Sequence, residues 1–184
     1  FAEFARDRDA LVYMHTQVDK SIVNAHGHDL VKVIIDLGLV QKVIYTKRES
    51  YLSGLSEDSM VEMYNCFDVL LHCSLGEGFG IPIIEAQACG VPVVVSDFSA
   101  MPEVCGEGGV VVPTVEWDLQ TSIHQWQRIP STAAIVEALT KLYDDSEYRA
   151  TLSAKAVENA KRFSETRARA AWPALLRRQL DKLG

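Results

Sequence analysis

The sequence predicts an α/β fold of the Rossmann-like, doubly wound type, in which helices cover a parallel sheet. Short apolar runs typical of strands alternate along the chain with amphipathic segments typical of helices. Each apolar run is continuous and does not alternate with polar residues, as expected for strands that are buried on both faces of a parallel sheet. These two observations together indicate the fold class.

The first third of the chain predicts two strands separated by an amphipathic helix. The segment 29–37 has the apolar spacing of a helix, and Gly38 is placed to end it. Ser56 can accept a hydrogen bond from the first turn of the next helix. In order, the predicted elements are a helix end at residues 1–8, a strand at 10–15, the helix at 29–37, a strand at 42–45, a loop at 46–55 and a helix after Ser56.

The rest of the chain predicts three further strands and a helical C-terminal part. Gly90 closes one predicted helix, and Pro113 ends the last predicted strand. In order, the elements are a strand at 68–73, a helix at 81–89, a strand at 91–95, a loop and turn at 96–105, a strand at 109–112, an irregular segment at 114–131 and two or three helices from residue 132 onward. The length is sufficient for a single domain spanning residues 1–184.

Composition and charge limit the class of protein. Apolar residues make up 48% of the 184 residues and charged residues 23%, as in soluble globular proteins. The net charge of -7 argues against a nucleic-acid partner. No apolar run has the length of a membrane-spanning helix.

Cysteine and histidine spacing does not indicate a metal site. The four cysteines show no paired spacing, so we expect reduced thiols in a cytoplasmic protein. His26 and His28 flank Gly27 without a third ligand nearby, which favours a polar loop over a metal site.

Charge is distributed unevenly along the chain. Residues 155–184 contain eight Lys or Arg against three Asp or Glu, whereas residues 1–154 contain ten against twenty-two. The final segment, 164–184, is therefore expected to form a basic helix. A solvated face is the simplest interpretation of its charges, and attachment to an anionic membrane surface is an alternative.

The most informative motif is a glycine loop, Gly76-Glu77-Gly78-Phe79-Gly80, between a predicted strand and a predicted helix. Such a junction favours anion binding, because free backbone N–H groups and the helix dipole point at one spot. Pro82 fits the first helical turn, where its missing N–H does no harm. Glu85 lies in an otherwise apolar helix, so its carboxylate is expected to face hydrogen-bond donors such as sugar hydroxyls. A tight turn with a solvated glutamate is the alternative interpretation.

The unusual polar residues of this chain follow the predicted strands. His15, Thr46, the glycine loop, and Ser96 with Asp97 all come at carboxyl ends of strands. In doubly wound sheets ligands bind outside those ends. The positions therefore favour a binding site over a purely structural turn.

Several segments resemble the C-terminal, donor-binding domain of family-4 retaining glycosyltransferases (glycosyl transferases group 1), which have the GT-B fold. Glu77 and Glu85 match the two glutamates, with seven residues between them, that are the signature of that family. The matching segments are Tyr64-Asn65-x-x-Asp68-Val69-Leu70-Leu71, Ser74-x-Gly76-Glu77-Gly78-Phe79-Gly80-Ile81-Pro82, Glu85-Ala86-x-Ala88-Cys89-Gly90-Val91-Pro92-Val93-Val94, Met101-Pro102-Glu103, Gly108 to Pro113, and Arg162-Phe163-Ser164.

The resemblance implies a site for a nucleoside-diphosphate sugar. Glu77 would be the catalytic-site residue that binds hydroxyls of the transferred sugar, and Glu85 would bind the ribose. Thr46 and Lys47 would contact the base or a phosphate, although a solvated loop is the favoured explanation for Lys47. No cofactor or metal is implied beyond the donor substrate itself. The backbone that holds the sugar and the diphosphate would be that of Gly76, Gly78, Phe79, Gly80 and Ile81.

The chain also departs from the family pattern. The first central strand, with its Arg- and Lys-bearing loop, and the N-terminal acceptor domain have no counterpart in the sequence. We therefore expect a piece of a longer protein that is poorly active alone. The basic segment 164–184 would dock on the N-terminal domain. The exposed sheet edge left by the missing strand would favour homo-oligomer formation.

The expected activity is transfer of a hexose from a nucleoside-diphosphate sugar to an acceptor with retention of configuration. A nucleotide-sugar epimerase of GT-B architecture is one alternative, since such enzymes bind the same donors. A non-catalytic module that binds nucleotide sugars or assembles with a partner is another. The base, the sugar and the acceptor stay open, as does the choice between a cytoplasmic and a peripheral membrane location.

Overall fold

The computed structural model describes residues 1–16, 29–46, 48–120 and 125–182. The chain divides into two compact units, Phe1–Met60 and Val61–Gly184. The assignment of residues 1–184 to one donor-binding domain stays a prediction.

The first unit contains two parallel strands and short helices. Val12 pairs with Val43, and Met14 pairs with Tyr45. The first helix is capped by Asp29, whose side chain accepts a hydrogen bond from the Lys32 backbone N–H at 3.1 Å. The elements are β1 (Val12–Met14), α1 (Leu30–Asp36), β2 (Val43–Tyr45) and α2 (Arg48–Ser53), with α3 (Glu57–Asn65) crossing into the second unit.

Two predictions for the first unit are wrong. Residues 1–8 form turns instead of a helix end. Residues 48–53 form a short helix where a loop was expected. Gly54, the residue that suggested a loop, has φ +75° and lies just after the helix, so it acts as a helix stop. The predicted cap at Ser56 is confirmed, because its hydroxyl accepts from the Ser59 N–H at 3.2 Å.

The second unit is built on a three-stranded parallel sheet of order β3-β4-β5. All four residues of its central strand are buried, which requires cover on both faces. The strands are β3 (Leu70–His72), β4 (Val93–Ser96) and β5 (Gly109–Val112). The parallel pairing confirms the predicted α/β class. Within the described residues β3 and β5 are the edge strands of this sheet.

Helices pack on this sheet and on one another. The elements are α4 (Ile81–Ala88), α5 (Met101–Cys105), α6 (Thr132–Asp144), α7 (Ser146–Ala160), a 3-10 turn (Lys161–Phe163) and α8 (Glu165–Leu180). α4, α5 and α6 contact the strands, and α7 contacts α4 and α6. The helix α5 was expected to be loop. That expectation was wrong. Pro102 lies in the first turn of α5, a position that proline tolerates as well as it does a loop.

A β-hairpin replaces the irregular segment expected at 114–131. Strands β6 (Thr114–Gln120) and β7 (Gln125–Pro130) pair in antiparallel fashion, with Trp117 opposite Arg128. The alternation of apolar and polar residues from Val115 to Leu119 is the period-two pattern of a strand. The expectation of an irregular segment was wrong, because polar residues on the exposed positions of a hairpin mask the apolar alternation.

No helix in the described ranges is long and apolar enough to cross a membrane.

Candidate functional site

The glycine loop joins β3 to α4 and ends at an open helix N-terminus. Gly80 is the residue before the helix, with φ +89° and no side-chain cap. A Cβ atom there would lie 2.8 Å from Ile83 Cδ1, so a side chain would meet both strain and crowding. A Cβ at Gly78 would meet nothing within 4 Å. The loop therefore leaves space above backbone N–H groups that have no intrahelical partner, as an anion site needs.

Glu77 is held by hydrogen bonds from both sides of the loop. Its carboxylate accepts from the Ser74 hydroxyl at 2.8 Å. Its backbone N–H donates to Ser99 Oγ at 2.9 Å. Its side chain is 30% exposed, so the carboxylate is oriented and still accessible. An oriented, accessible carboxylate can accept hydrogen bonds from sugar hydroxyls.

His72, the last residue of β3, lies beside Glu77 and was not singled out from the sequence. Its Nε2 is 3.1 Å from Glu77 Oε1, which is within ion-pair distance when the ring is protonated. The ring nitrogen is not aligned for a hydrogen bond, however, and is buried without a hydrogen-bond partner among the described residues. A buried polar atom without a hydrogen bond is unusual, and its close neighbour here is the Glu77 carboxylate.

Ser99 fixes the far side of the loop at a strained position. It has φ +55°, which is rare for a residue with a side chain. Its hydroxyl is the acceptor for the Glu77 N–H. Nearby, Ser96 is fully buried and donates to the Ser74 carbonyl at 2.9 Å. Ser96, one of the polar residues that follow the predicted strands, therefore supports the loop from within the core.

The carboxylate of Glu85 accepts a hydrogen bond from a side chain of the protein itself. The Tyr64 hydroxyl donates to Glu85 Oε2 at 3.0 Å. Burial, that hydrogen bond and the negative charge of Glu85 raise the pKa of Tyr64 well above its ordinary value, so the phenol keeps its proton. Tyr64 also packs edge-on against Phe67. The expected hydrogen-bond donor for Glu85 is thus present, and it comes from α3.

Apolar and basic side chains flank the loop on the α8 side. Phe79 and Ile81 are 44% and 57% exposed, although both belong to the motif. Phe79 packs edge-on against Phe163, with ring centroids 5.7 Å apart. An open cleft of about 500 Å³ lies here, lined by Phe79, Ile84, Arg162, Phe163, Ser164, Arg167, Ala168 and Ala171. Phe79, which lines the cleft, precedes Gly80, the residue before α4.

In the first unit, Thr46 belongs to a separate hydrogen-bonded group. It is 7% exposed and lies 2.9 Å from the Tyr13 hydroxyl and 3.1 Å from His15 Nδ1. The parallel pairing of β1 and β2 brings these residues together at the carboxyl ends of the two strands, as predicted. Lys47 lies outside the described residues, as do His26 and His28.

No group of three His, Cys, Asp or Glu side chains in the described part of the chain could hold a metal ion. The four cysteines are free, and Cys66 is exposed.

Two curated relatives are similar to more than half of this chain. The chain is 33% identical over 114 residues to the O-antigen chain mannosyltransferase B of Escherichia coli, covering 62% of this chain and 26% of that protein. It is 32% identical over 120 residues to the D-inositol 3-phosphate glycosyltransferase of Corynebacterium glutamicum, covering 64% and 25%. The chain thus spans about a quarter of the length of these relatives.

Solved structures show the same fold. Sucrose-phosphate synthase from Thermosynechococcus elongatus superimposes with a TM-score of 0.65 and 20% identity, covering 95% of this chain and 39% of that one. Anabaena HepE in complex with UDP superimposes with a TM-score of 0.54 and 20% identity, covering 73% and 31%. These likenesses confirm the predicted α/β fold of the GT-B class.

The family model described as glycosyl transferases group 1 matches residues 28–145, which is more than half of the chain. The matched range contains β2, the glycine loop, both glutamates and the sheet of the second unit. The chain therefore belongs to the group 1 family of glycosyl transferases.

Proposed function

We propose that this chain is the donor-binding part of a retaining glycosyltransferase, which transfers a hexose from a nucleoside-diphosphate sugar. Glu77 contacts hydroxyls of the transferred sugar, and Glu85 contacts the ribose. The diphosphate and the sugar lie over the backbone from Gly76 to Ile81. An N-terminal acceptor domain completes the enzyme in the parent protein, in the cytoplasm or at its membrane surface.

The observation that carries this proposal is the arrangement around the glycine loop. An uncapped helix N-terminus at Gly80 lies next to an oriented carboxylate, Glu77, and a second one, Glu85, lies one turn further along the helix. The helix end suits the negative diphosphate, and the two carboxylates suit hydroxyl groups. One ligand that carries both kinds of group is a nucleoside-diphosphate sugar.

The chemistry follows from where charge develops. As the glycosidic bond breaks, negative charge grows on the leaving diphosphate. Backbone N–H groups and the dipole of α4 stabilise that charge without having to reorganise. Glu77 keeps the sugar in position, so the acceptor reaches the anomeric carbon in one orientation.

Nucleotide-binding neighbours support the donor class. The solved structures of HepE, which has the same fold, are complexes with UDP and with UDP-glucose. The curated relatives are named as mannosyl- and inositol-phosphate glycosyltransferases. Hexose transfer is accordingly the activity we assign to the parent protein.

Calorimetric titration of the chain with UDP, GDP, ADP and their hexose conjugates tests this proposal. We expect one nucleotide to bind, and Glu85→Ala to raise its Kd at least about tenfold by removing a charged hydrogen-bond acceptor. Glu77→Ala should abolish the gain in affinity from the attached sugar but leave nucleotide binding intact. Glu116→Ala, which removes a hairpin carboxylate, serves as a matched control.

The proposal fails if the folded chain and the intact parent protein both bind none of these ligands. It also fails if Glu77→Ala and the control variant have equal effects. Analysis of the product formed by the parent protein then distinguishes transfer from epimerisation, and the anomeric configuration of that product tests retention.

A further inference from the structure

We propose that His72 is a positioning residue for Glu77, which holds one oxygen of the carboxylate so that the other is left for the transferred hexose. The inference deepens the proposed function and rests on it, since it concerns how the sugar part of the donor is recognised. His72 is the last residue of β3 and lies between two of the motif segments matched above, neither of which includes it.

The ring of His72 lies against the glycine loop. Its Nε2 atom is 3.1 Å from Glu77 Oε1, and the two side chains are 16% and 30% exposed. A Cβ atom built on Gly80 would lie 3.9 Å from the same nitrogen, so the ring also approaches the last residue of the loop. Nε2 itself is shielded from solvent. The less exposed histidine therefore supports the more exposed carboxylate from β3.

The contact requires a proton on Nε2. An ionised carboxylate offers only lone pairs, and an unprotonated imidazole nitrogen also offers a lone pair. Two such acceptors 3.1 Å apart would repel each other, and the low dielectric of a buried position strengthens that repulsion. A proton on Nε2 replaces it by attraction between an N–H group and a negative charge. The geometry thus selects the Nε2–H tautomer of neutral His72, and the imidazolium form carries the same proton.

The attraction does not depend on a finished hydrogen bond. The ring is not aligned for a hydrogen bond to Glu77, so the present contact is electrostatic. Hydrogen bonds in catalytic sites are often long or poorly aligned before the substrate binds, and they tighten in the complex. We expect the His72 N–H to align with Glu77 Oε1 when the hexose engages the carboxylate.

The protein directs its own donors at one oxygen of the carboxylate. Glu77 Oε1 accepts from the Ser74 hydroxyl at 2.8 Å and is also the oxygen beside His72. The backbone N–H of Glu77 is held separately by Ser99 Oγ at 2.9 Å. Within the described residues, Oε2 accepts no hydrogen bond from the protein. That oxygen is therefore left to accept from hydroxyls of the hexose.

A carboxylate held in this way affects the sugar more than the nucleotide. A side chain that is already oriented loses less conformational freedom on binding, so more of the contact appears as affinity. The nucleotide makes its proposed contacts elsewhere, with Glu85 and the helix N-terminus. His72 should therefore act on the ratio of the Kd of the nucleotide to that of its hexose conjugate, which we call the hexose increment.

Three variants separate positioning from a structural role. His72→Phe keeps a ring and removes the donor, whereas His72→Gln restores an uncharged N–H donor at the same number of bonds from the backbone. Cys73→Ala changes the adjacent residue, whose thiol lies 3.7 Å from the Val94 carbonyl, and is the matched control. Calorimetry with UDP, GDP or ADP, whichever binds, and with its hexose conjugates gives both Kd values for each protein.

We expect His72→Phe to lower the hexose increment about two- to tenfold and to leave the Kd of the nucleotide unchanged. His72→Gln should keep most of the increment, and Cys73→Ala should keep all of it. In a Glu77→Ala background, His72→Phe should have no further effect, because the two residues act through one contact. Unchanged nucleotide binding also shows that the variants are folded.

Nitrogen NMR of the histidine rings tests the proton itself. At about pH 8.5, roughly two units above the ordinary pKa of histidine, Nε2 of His72 should have the chemical shift of a protonated ring nitrogen. The signal is assigned by its loss in His72→Gln.

Other results overturn the inference. An unprotonated Nε2 would exclude it, as would an unchanged hexose increment in His72→Phe or a loss that Cys73→Ala or His72→Gln shares in full. A hexose increment that Glu77→Ala abolishes and His72→Phe preserves would leave the proposed function standing without this role. Absence of nucleotide and conjugate binding, in both the folded chain and the parent protein, would contradict the proposed function and the role of His72 with it.

Discussion

At the scale of single residues, the two glutamates differ in how they are held. Glu77 accepts from a serine hydroxyl and lies close to the ring of His72, whereas Glu85 accepts from Tyr64. The raised pKa of Tyr64 ensures that its hydroxyl is a donor at any physiological pH. Tyr64 thus orients Glu85 from the core, and the ligand would use the remaining acceptor sites of the carboxylate.

We predict that Tyr64→Phe weakens nucleotide binding, because Glu85 loses the hydrogen bond that holds its carboxylate in position. Loss of one hydrogen bond should cost about 0.5–1.5 kcal/mol, or a roughly two- to tenfold rise in Kd measured by calorimetry. The effect should disappear in a Glu85→Ala background, because the two residues then act through one contact. Tyr148→Phe in α7, which keeps the ring that faces Lys141, is the matched control. Equal Kd values for Tyr64→Phe and the unaltered chain would contradict this role.

At the scale of elements, a buried polar network ties α4 to α5 and α7. Gln87 Nε2 donates to the Cys105 carbonyl at 2.8 Å, and Asn159 Nδ2 donates to Gln87 Oε1 at 2.6 Å. Asn159 also donates to the Val104 carbonyl at 2.8 Å and accepts from Arg162 at 2.7 Å. The network fixes the helix that begins at the glycine loop.

The same network leaves no space for a side chain at Gly106 and Gly108. A Cβ at Gly106 would lie 2.2 Å from Asn159 Oδ1, and a Cβ at Gly108 would lie 2.5 Å from Gln87 Nε2. Neither position can carry a side chain without moving the amides. The glycines before β5 therefore belong to the packing of α7, besides any role in the turn.

We predict that Asn159→Leu lowers the free energy of unfolding by at least about 2 kcal/mol, because Gln87 Oε1 and the Val104 carbonyl lose the buried donor Asn159 Nδ2. Urea denaturation measures this loss. Gln87→Leu combined with Asn159→Leu should cost less than the sum of the single changes, since both remove one shared bond. Asn65→Leu, at an exposed position in α3, should change stability little. Additive losses would show that the two amides act independently.

At the scale of the whole molecule, buried thiols link stability to alkaline pH. Burial raises the pKa of Cys73 to about 11, and that of Cys105 to about 11, from an ordinary value of 9.0. At a pH between the ordinary and the raised pKa, the unfolded chain loses thiol protons that the folded chain retains. The unfolded state then binds fewer protons, so stability must fall as pH rises through this window.

We predict that the free energy of unfolding in the presence of a phosphine reductant falls between about pH 8 and about pH 11. The double variant Cys73→Ala, Cys105→Ala should show a smaller fall, because two of the groups that titrate differently are gone. Cys66→Ala, at an exposed thiol, should retain the full fall. A pH dependence that is the same in all three proteins would exclude the thiols as its source.

Much of the fold followed from pattern alone. Val93 to Val95 could be recognised as a buried strand, because a short continuous apolar run is typical of a strand covered on both faces. Gly80 and Pro82 marked the start of α4. The helix at 48–53 and the β6–β7 hairpin could not be predicted from the sequence pattern. Short elements have weak periodicity, and a hairpin with one exposed face is rich in polar residues.

The sequence by itself determined the fold class, the glycine loop and the glutamate pair, because these depend on local backbone chemistry and on apolar spacing. The tertiary structure decided which residues contact the two glutamates and hold them in position. His72, Tyr64 and Ser99 approach the glutamates from three different elements, and their spacing along the chain carries no signal of that contact. Trp117 and Trp126 likewise meet only because β6 pairs with β7. Contacts between distant segments arise from packing, which one-dimensional periodicity does not encode.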